Sequence, residues 1–393
     1  MPKVLRIINR FNIGGPTYNA AYLSKYLSED FETLLVGGQK DITEDSSEFI
    51  LDTLGLSPII IPEMKREINF KNDRIAYKKI KQIIADFKPD IVHTHASKAG
   101  AIGRLAAHNM NVPVILHTFH GHVFHSYFGK VKTTIYKGIE RYLAKKSSSI
   151  IAISSIQKKE LSEDYKICPK DKIATIPLGF DLNRFRENKA EKRVLFRNEW
   201  NISDETIAIG IVGRLVPIKN HHFFLRVVKI IQQQTNKKVR FFIIGDGELK
   251  IQLKEYCKEL SIDFSEDKNQ PDSLVTFTSW IKNIDVVNAG LDIITLTSKN
   301  EGTPVSLIEA LASSKPNVST NVGGIENIVK INKTALLSGI TDEDSFSKNL
   351  LSLIENDSKR EDMSKNGEHV FDKFHYERLV KDIEVLYTNL LLK

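Results

Sequence analysis

The sequence predicts an α/β protein of two successive Rossmann-like domains, each a mostly parallel sheet with helices on both faces. Three observations predict it. A length of 393 residues suits two cores of roughly 150–200 residues each. Short β-rich runs alternate with amphipathic helical runs, the pattern of βαβ units. The alternation lapses in a polar stretch at about 181–205 and restarts after residue 200. Composition agrees: 41% hydrophobic and 27% charged residues exclude disorder, collagen and coiled coil as readings of the whole chain. No apolar run approaches the ~18–20 residues of a membrane span, and residues 1–20 carry no signal-peptide core. Cys168 and Cys257 lie far apart with no CxxC spacing, which points to a reducing cytoplasm and away from a cysteine zinc site.

KVLRIIN (3–9) reads as the first strand, and Gly14-Gly15-Pro16 breaks the chain before a helix with apolar positions Ala20, Ala21, Leu23, Tyr26 and Leu27. ETLLVGG (32–38) and SPIIIP (57–62) are strands two and three. Residues 72–87 form a helix, followed by DIVHTH (90–95), a small-residue helix at 99–107, VPVILHTFH (112–120), a basic helix at 130–146 and SIIAIS (149–154). In the second half, IAIGIVGR (207–214), RFFIIGDG (240–247), LVTFTSW (274–280), LDIITLT (291–297) and PNVST (316–320) read as strands, with a helix at 220–235 after the first. DLNRFRENKAEKR, starting at 181, shows no apolar periodicity and reads as the linker. The domains are therefore 1–185 and 186–370, with ligand expected in the cleft at the carboxyl ends of both strand sets.

Charge is uneven. The net +7 divides into 27 Lys+Arg against 19 Asp+Glu over 1–185, so +8, and 29 against 30 over the remainder, so −1. A basic first half suits an anionic surface or substrate, although such a count also describes a solvated face. It concentrates in KVKTTIYKGIERYLAKK (130–146), where Val131, Ile135, Ile139 and Tyr142/Leu143 share one face and Lys130, Lys132, Lys137, Arg141, Lys145 and Lys146 cover much of the rest. One reading packs that apolar face on the sheet; the other docks the helix on an anionic leaflet. Nucleic-acid binding has only the basic balance behind it and is not expected.

Seven of eleven histidines lie between 93 and 125. His93 and His95 alternate on one strand, while His117, His120, His122 and His125 crowd the next strand end. No metal site is expected, because zinc sites fix their ligands at more regular spacings. Asp342-Glu343-Asp344 reads as a helix cap rather than a metal motif. In the second half, GRLVPIKN (213–220) follows a strand with Gly213 and sets Arg214 and Lys219 five residues apart, a possible clamp for a diphosphate. On that spacing alone they read equally as two surface cations. KNEGTPVSLIEALASSKP (299–316) follows, with Thr303 as N-cap and Pro304 as first helical residue, so that backbone N–H groups there point at an anion. Glu309, about one and a half turns in, could accept hydrogen bonds from a ribose diol. Glu309 and Glu301 read otherwise as a half-buried helix charge and a dipole-compensating loop acid.

Taken together, GR-x4-K (213–219) and E-x7-E (301–309) resemble the family 4 retaining glycosyltransferases of the GT-B fold. The resemblance extends through IGGPTYNA (13–20), HTHASKAGAIGRLAA (93–107), HTFHGHVF (117–124), IPLGFDLNRF (176–185), GDGELK (245–250), TFTSWIKNID (276–285), ALASSKP (310–316) and GGIENIV (323–329). Within the family it is closest to bacterial capsule, exopolysaccharide and O-antigen transferases. Ser314 stands where many members have Gly, and Thr297-Ser298 where Pro-Ser is common. The resemblance implies transfer from a nucleotide sugar, commonly UDP-linked, to a glycan or undecaprenyl-diphosphate-linked acceptor, with retention and no metal or other cofactor. It implies that Gly15, Gly213, Arg214, Lys219, Gly302, Thr303, Pro304, Val305 and Glu309 bind the donor. His120, Arg214, Lys219 and Glu301 would serve catalysis, and Lys130, Lys132, Lys137, Arg141 and Lys145 the membrane or acceptor. It also implies a C-terminal segment, about 371–393, that returns to the first domain, and a cytoplasmic enzyme peripheral to the membrane. Two alternatives accompany it: a non-catalytic nucleotide-sugar-binding subunit, and a nucleotide-sugar epimerase of the same fold.

Overall fold

Strands buried on both faces require continuous apolar runs, and the chain supplies them in two sets. The computed structural model describes residues 1–12, 15–39, 47–65, 67–120, 130–270 and 272–393. It contains two seven-stranded sheets in which every strand pair is parallel. The first comprises β1 Lys3–Arg10, β2 Glu32–Gly38, β3 Ile59–Ile60, β4 Ile91–His95, β5 Val114–Phe119, β6 Ser149–Ala152 and β7 Ile173–Thr175, in the order β3-β2-β1-β4-β5-β6-β7. The second comprises β8 Ile207–Val212, β9 Val239–Ile244, β10 Phe264–Ser265, β11 Val275–Ser279, β12 Ile293–Leu296, β13 Asn317–Thr320 and β14 Ala335–Ser338, in the order β10-β11-β9-β8-β12-β13-β14. Strand order reverses between β1 and β4 in one sheet and between β8 and β12 in the other. At such a reversal the loops leaving neighbouring strands diverge, which opens a crevice at the carboxyl ends.

The chain forms two compact units, Met1–Phe180 with Lys373–Lys393, and Asp181–Asp372. In the first unit, one sheet face is covered by the helices Phe70–Phe87 and Ser97–Asn109, through Ala76, Ile80, Ile84, Ala99 and Ala106. The other face takes Leu23 from the helix Gly15–Tyr26, and Leu379, Val380, Ile383 and Tyr387 from the C-terminal helix Tyr376–Leu391. In the second unit, the helices His221–Gln234 and Glu343–Glu355 bury Phe223, Phe224, Phe346 and Leu350 against one face. Phe196, Val287 and Ala310 pack on the opposite face.

Three expectations need correction. The polar stretch at 181–205 contains the helix Lys189–Glu199. It buries Phe196 and Arg197, while Val194 and Leu195 are exposed, so its apolar residues do not mark the buried face. The strands β7, β10 and β14, two to four residues long, were not read from the sequence. The helix following β12 spans Val305–Ala312 with Pro304, not Thr303, at the N-cap, and without a side-chain cap. Pro304 has φ −69° but ψ 105°, which keeps it outside the helix.

Candidate active site

The strand reversal in the second unit brings together the loops after β8 and β12. Gly213 leaves β8, and Pro217–Lys219 forms a single 3-10 turn. The Lys219 Nζ lies 2.6 Å from Glu301 Oε1. Ser298 Oγ donates to the same oxygen at 2.6 Å. Two further bonds stitch the loops: Thr297 Oγ1 donates to Lys219 O at 2.9 Å, and the Lys299 N–H to Ile218 O at 2.8 Å. The pair retains partial solvent access, with side-chain exposures of 22% for Lys219 and 12% for Glu301. Arg214 is exposed and its guanidinium has no partner among the described residues.

Two glycine loops support this pair from behind. At Gly245 (φ +143°) an added Cβ would lie 2.0 Å from Gly213 O, and at Gly323 (φ +53°) 1.9 Å from Glu301 O. Only a residue without a side chain permits both the backbone angle and the approach. The Gly213 N–H donates to Ile244 O and the Gly324 N–H to Glu301 O, each at 3.0 Å. Ser298, Thr297, Gly245 and Gly323 are the residues that sequence reasoning left without a role. Their signal was adjacency: Gly245 and Gly323 open quoted motifs, and Thr297 and Ser298 directly precede KNEGTPVSLIEALASSKP.

Gly302 and Thr303 lead into the helix Val305–Ala312. The backbone N–H groups of Val305 and Ser306 have no acceptor among the described residues, so the helix start presents bare donors to an anion. Glu309, one turn further, is half-buried and its carboxyl has no hydrogen-bond partner among the described residues. Desolvation pushes its pKa up to about 7; Arg184 opposes that shift and Asp285 adds to it. Arg184 belongs to the short turn Asn183–Phe185 that packs against this helix.

In the first unit the histidines separate by sheet face. His93 and His95 share the face covered by the C-terminal helix, where His95 Nδ1 lies 2.9 Å from His120 Nε2. His117 lies on the opposite face, bonded through Nδ1 to Thr94 Oγ1 at 2.9 Å and set beneath the helix Ser97–Asn109, where an added Cβ on Gly100 would meet its ring at 2.4 Å. It therefore serves packing and does not join the other three. Burial lowers the pKa of all four rings, His120 to about 3, so they are neutral. His122 and His125 lie outside the described residues. Gly15 opens the helix Gly15–Tyr26 after β1. Among the described residues, no group of three or more His, Cys, Asp or Glu side chains is placed to hold a metal ion. Asp342 caps the helix Glu343–Glu355, accepting from the Ser345 N–H at 2.9 Å.

The helix Lys130–Lys145 overturns the packing expectation. Its buried side is Glu140, Leu143 and Ala144, and Glu140 pairs with the buried Arg104 at 2.6 Å. Ile135, Ile139 and Tyr142 face outward with exposures of 57%, 43% and 54%. Lys137 lies over the Tyr165 ring at 4.4 Å, Arg141 donates to Tyr165 O at 2.7 Å, and Lys145 is exposed. The side chains of Lys130 and Lys132 lie outside the described residues. No helix among the described residues is long and apolar enough to cross a membrane.

Comparison with known proteins agrees with this geometry. The model described as Glycosyltransferase Family 4 matches residues 13–184, and that described as Glycosyl transferases group 1 matches residues 192–370. The chain is 30% identical over 342 residues to the UDP-Gal:alpha-D-GlcNAc-diphosphoundecaprenol alpha-1,3-galactosyltransferase of Escherichia coli, covering 84% of each. It is 26% identical over 336 residues to the capsular polysaccharide biosynthesis glycosyltransferase CapM of Staphylococcus aureus, covering 84% of this chain and 85% of the relative. Anabaena HepE in complex with UDP has a similar fold, with a TM-score of 0.80 at 16% identity, covering 98% of this chain and all of that one. Two family models and a 30% identical relative covered over most of its length make the conclusion plain: the chain belongs to the family 4 glycosyltransferases of the GT-B fold.

Proposed function

We propose that the protein transfers a sugar from a UDP-linked donor to a glycan or a lipid-diphosphate-linked acceptor in bacterial surface polysaccharide synthesis, with retention of configuration and without a bound metal. The observation that carries this reading is the group of positive elements at the strand reversal of the second unit. Exposed Arg214, partly exposed Lys219 and the bare N–H groups at Val305 and Ser306 occur together there. A leaving diphosphate needs fixed positive charge as its bond to the sugar breaks, and preorganised cations supply it without reorganisation. The carboxyl of Glu309 accepts the ribose diol, Glu301 offers its free Oε2 to a donor hydroxyl, and Gly302 to Pro304 line the phosphate path. Within the first unit, His120 serves sugar binding and Gly15 leaves room for a phosphate. Same-face attack fits this set, since none of these residues has to act as a covalent nucleophile. The names of the relatives support the donor and acceptor classes.

The helix Lys130–Lys145 docks on an anionic leaflet through its outward Ile135, Ile139 and Tyr142 with Lys145 beside them, a pattern suited to interfacial insertion. The enzyme then works as a cytoplasmic peripheral protein on a lipid-linked acceptor.

The deciding experiment incubates the protein with a panel of nucleotide sugars, with and without a polyprenyl-diphosphate-linked sugar, in EDTA. The expected result is consumption of one UDP-sugar only with acceptor, and a product of retained configuration. Arg214→Ala and Lys219→Ala should each lower turnover about 10²–10³-fold, the typical cost of one charge-stabilising group. Consumption without acceptor would mean an epimerase or a hydrolase. Binding without turnover on any acceptor would mean a non-catalytic subunit.

A further inference from the structure

The start of the helix Phe70–Phe87 carries apolar and basic side chains into solvent. Phe70 is 89% exposed, the most of any large apolar side chain among the described residues, and Ile68 is 63% exposed. Their backbone is fixed by a reciprocal cap: Asn69 Oδ1 accepts from the Asn72 N–H at 3.0 Å, and Asp73 Oδ2 accepts from the Asn69 N–H at 3.1 Å. On the side of the helix away from its buried Ala76, Ile80 and Ile84 stand Lys71, Arg74 and Lys78, all exposed and none in an ion pair among the described residues. The nearby acids are already engaged. Asp73 Oδ1 pairs with Lys98 at 2.5 Å, and both oxygens of Glu63 take Lys79 at 2.8 Å. Only exposed Glu67 stands against three open cations, and Lys71 lies in the first turn, where the helix dipole favours acids instead. An anionic partner satisfies what the chain leaves unpaired.

The order of the side chains selects the kind of anion. Apolar residues at the tip with cations one to two turns behind match a leaflet, where acyl chains lie beneath phosphates and long basic side chains reach back to them. A soluble polyanion offers Ile68 and Phe70 no apolar phase. The place in the fold agrees. Lys98, at the start of the helix that follows β4, donates to Glu67 O at 2.5 Å, so the patch stands at the carboxyl-end rim of the first sheet. The helices Phe70–Phe87 and Lys130–Lys145 both pack on Ser97–Asn109, and Ala144 meets Phe119 on the sheet face that this layer covers. The patch and the outward Ile135, Ile139 and Tyr142 therefore lie on the same side of the first sheet.

We propose that Ile68 and Phe70, with Lys71, Arg74 and Lys78, form a second membrane footing that inserts into an anionic leaflet and turns the carboxyl-end rim of the first sheet towards it. The value of that orientation for catalysis rests on the reading of the acceptor as lipid-linked. The probe is a set of vesicles of phosphatidylglycerol and phosphatidylcholine in equal parts, against phosphatidylcholine alone, with the full chain. Phe70→Trp should gain a blue-shifted emission, quenched by brominated acyl chains, that wild type with its two native tryptophans lacks, and only on the anionic vesicles. The triple variant Lys71→Gln, Arg74→Gln, Lys78→Gln should co-sediment about 100-fold more weakly, at about fivefold per cation, with an unchanged melting temperature because all three side chains are exposed. Ile68→Ser with Phe70→Ser should also weaken binding. Emission from Phe70→Trp that ignores anionic vesicles, or a triple variant that binds them as wild type does, overturns the proposal and leaves the patch to an acidic protein partner. The acceptor reading is tested apart from this. Transfer to an acceptor embedded in the vesicles should fall in the triple variant, while transfer to a short-chain, water-soluble analogue should not. Quenching and weakened binding without any use of the embedded acceptor would leave the footing standing and overturn the lipid-linked acceptor alone.

Discussion

Glu301 uses its two carboxyl oxygens unequally, and that asymmetry explains a residue the motif reading passed over. Oε1 takes both 2.6 Å bonds, from Lys219 and Ser298, which leaves Oε2 for a ligand hydroxyl. Ser298 is fully buried, and its backbone carbonyl is fixed by Thr320 Oγ1 at 2.7 Å, so it holds the carboxylate rather than touching the ligand. Ser298→Ala should lower kcat about tenfold, the equivalent of one net hydrogen bond, and Ser298→Thr should recover it; unchanged steady-state kinetics in Ser298→Ala would remove the residue from the site. Glu309 makes a pH prediction. Its pKa is raised from 4.5 to about 7 by desolvation, so the folded state holds a proton that the unfolded chain has released. Stability contributed at low pH is then lost as pH rises from 4.5 towards 7. At pH 8 without nucleotide, Glu309→Gln should melt above wild type, and the gap should close as pH falls. Nucleotide-sugar affinity should run the other way. A diol binds the ionised carboxylate, so affinity should climb by up to about tenfold per unit below pH 7 and flatten in Glu309→Gln. Titration calorimetry in buffers of different ionisation enthalpy measures the released proton. Arg184 and Asp285 face the carboxyl with opposite effects, and Arg184→Ala should move the inflection upward.

At the scale of elements, the helix Lys130–Lys145 shows where sequence reading succeeds and fails. Its existence was legible, because apolar residues three and four apart announce a helix. Its orientation was not. Ile135, Ile139 and Tyr142 form the stripe that pattern alone assigns to the core, yet the buried side is Glu140, Leu143 and Ala144. The decision lies in Arg104, a buried cation 36 positions earlier that draws Glu140 inward, and no local pattern records it. Glu140→Ala should therefore cost about 3–5 kcal/mol, since it strands Arg104 as a buried unpaired charge; a denaturation midpoint near wild type would contradict this. Ile139→Asp should leave stability nearly unchanged and reduce co-sedimentation with anionic vesicles, whereas equal binding would make the stripe a merely solvated face. The helix after β12 was legible to within one residue of its cap, because Pro stops and starts helices by fixed geometry. The helix Lys189–Glu199 was not, because its apolar residues at 194–196 run consecutively and two of the three face solvent.

At the scale of the whole molecule, what was legible is what repetition makes redundant: two parallel sheets, each announced by several apolar runs. The charged residues of the second unit were legible for a related reason. β8 and β12 are neighbours in the sheet, so the loops that carry GR-x4-K and E-x7-E leave their carboxyl ends side by side, on the two flanks of the crevice. The His95–His120 pair and the His93–Tyr387 bond were not legible, since they join residues 25 and 294 positions apart. The C-terminal helix has a definite task in the first unit, where it closes the core with Leu379, Val380 and Ile383 and bonds Arg6 and His93 through Tyr387. The two units can be followed separately, because both tryptophans, Trp200 and Trp280, belong to the second. Tryptophan fluorescence therefore reports the unit that carries Arg214, Lys219 and Glu309, while circular dichroism reports both. UDP at a hundred times its dissociation constant should stabilise the fluorescence transition by about 2.7 kcal/mol. Tyr387→Phe leaves Arg6 and His93 without their shared partner and should destabilise the remaining dichroism transition by about 1–3 kcal/mol, with the fluorescence midpoint unmoved. A fluorescence midpoint that shifts with Tyr387→Phe would mean that the two cores unfold as one cooperative block, and the assignment of the C-terminal helix to the stability of the first unit alone would fall.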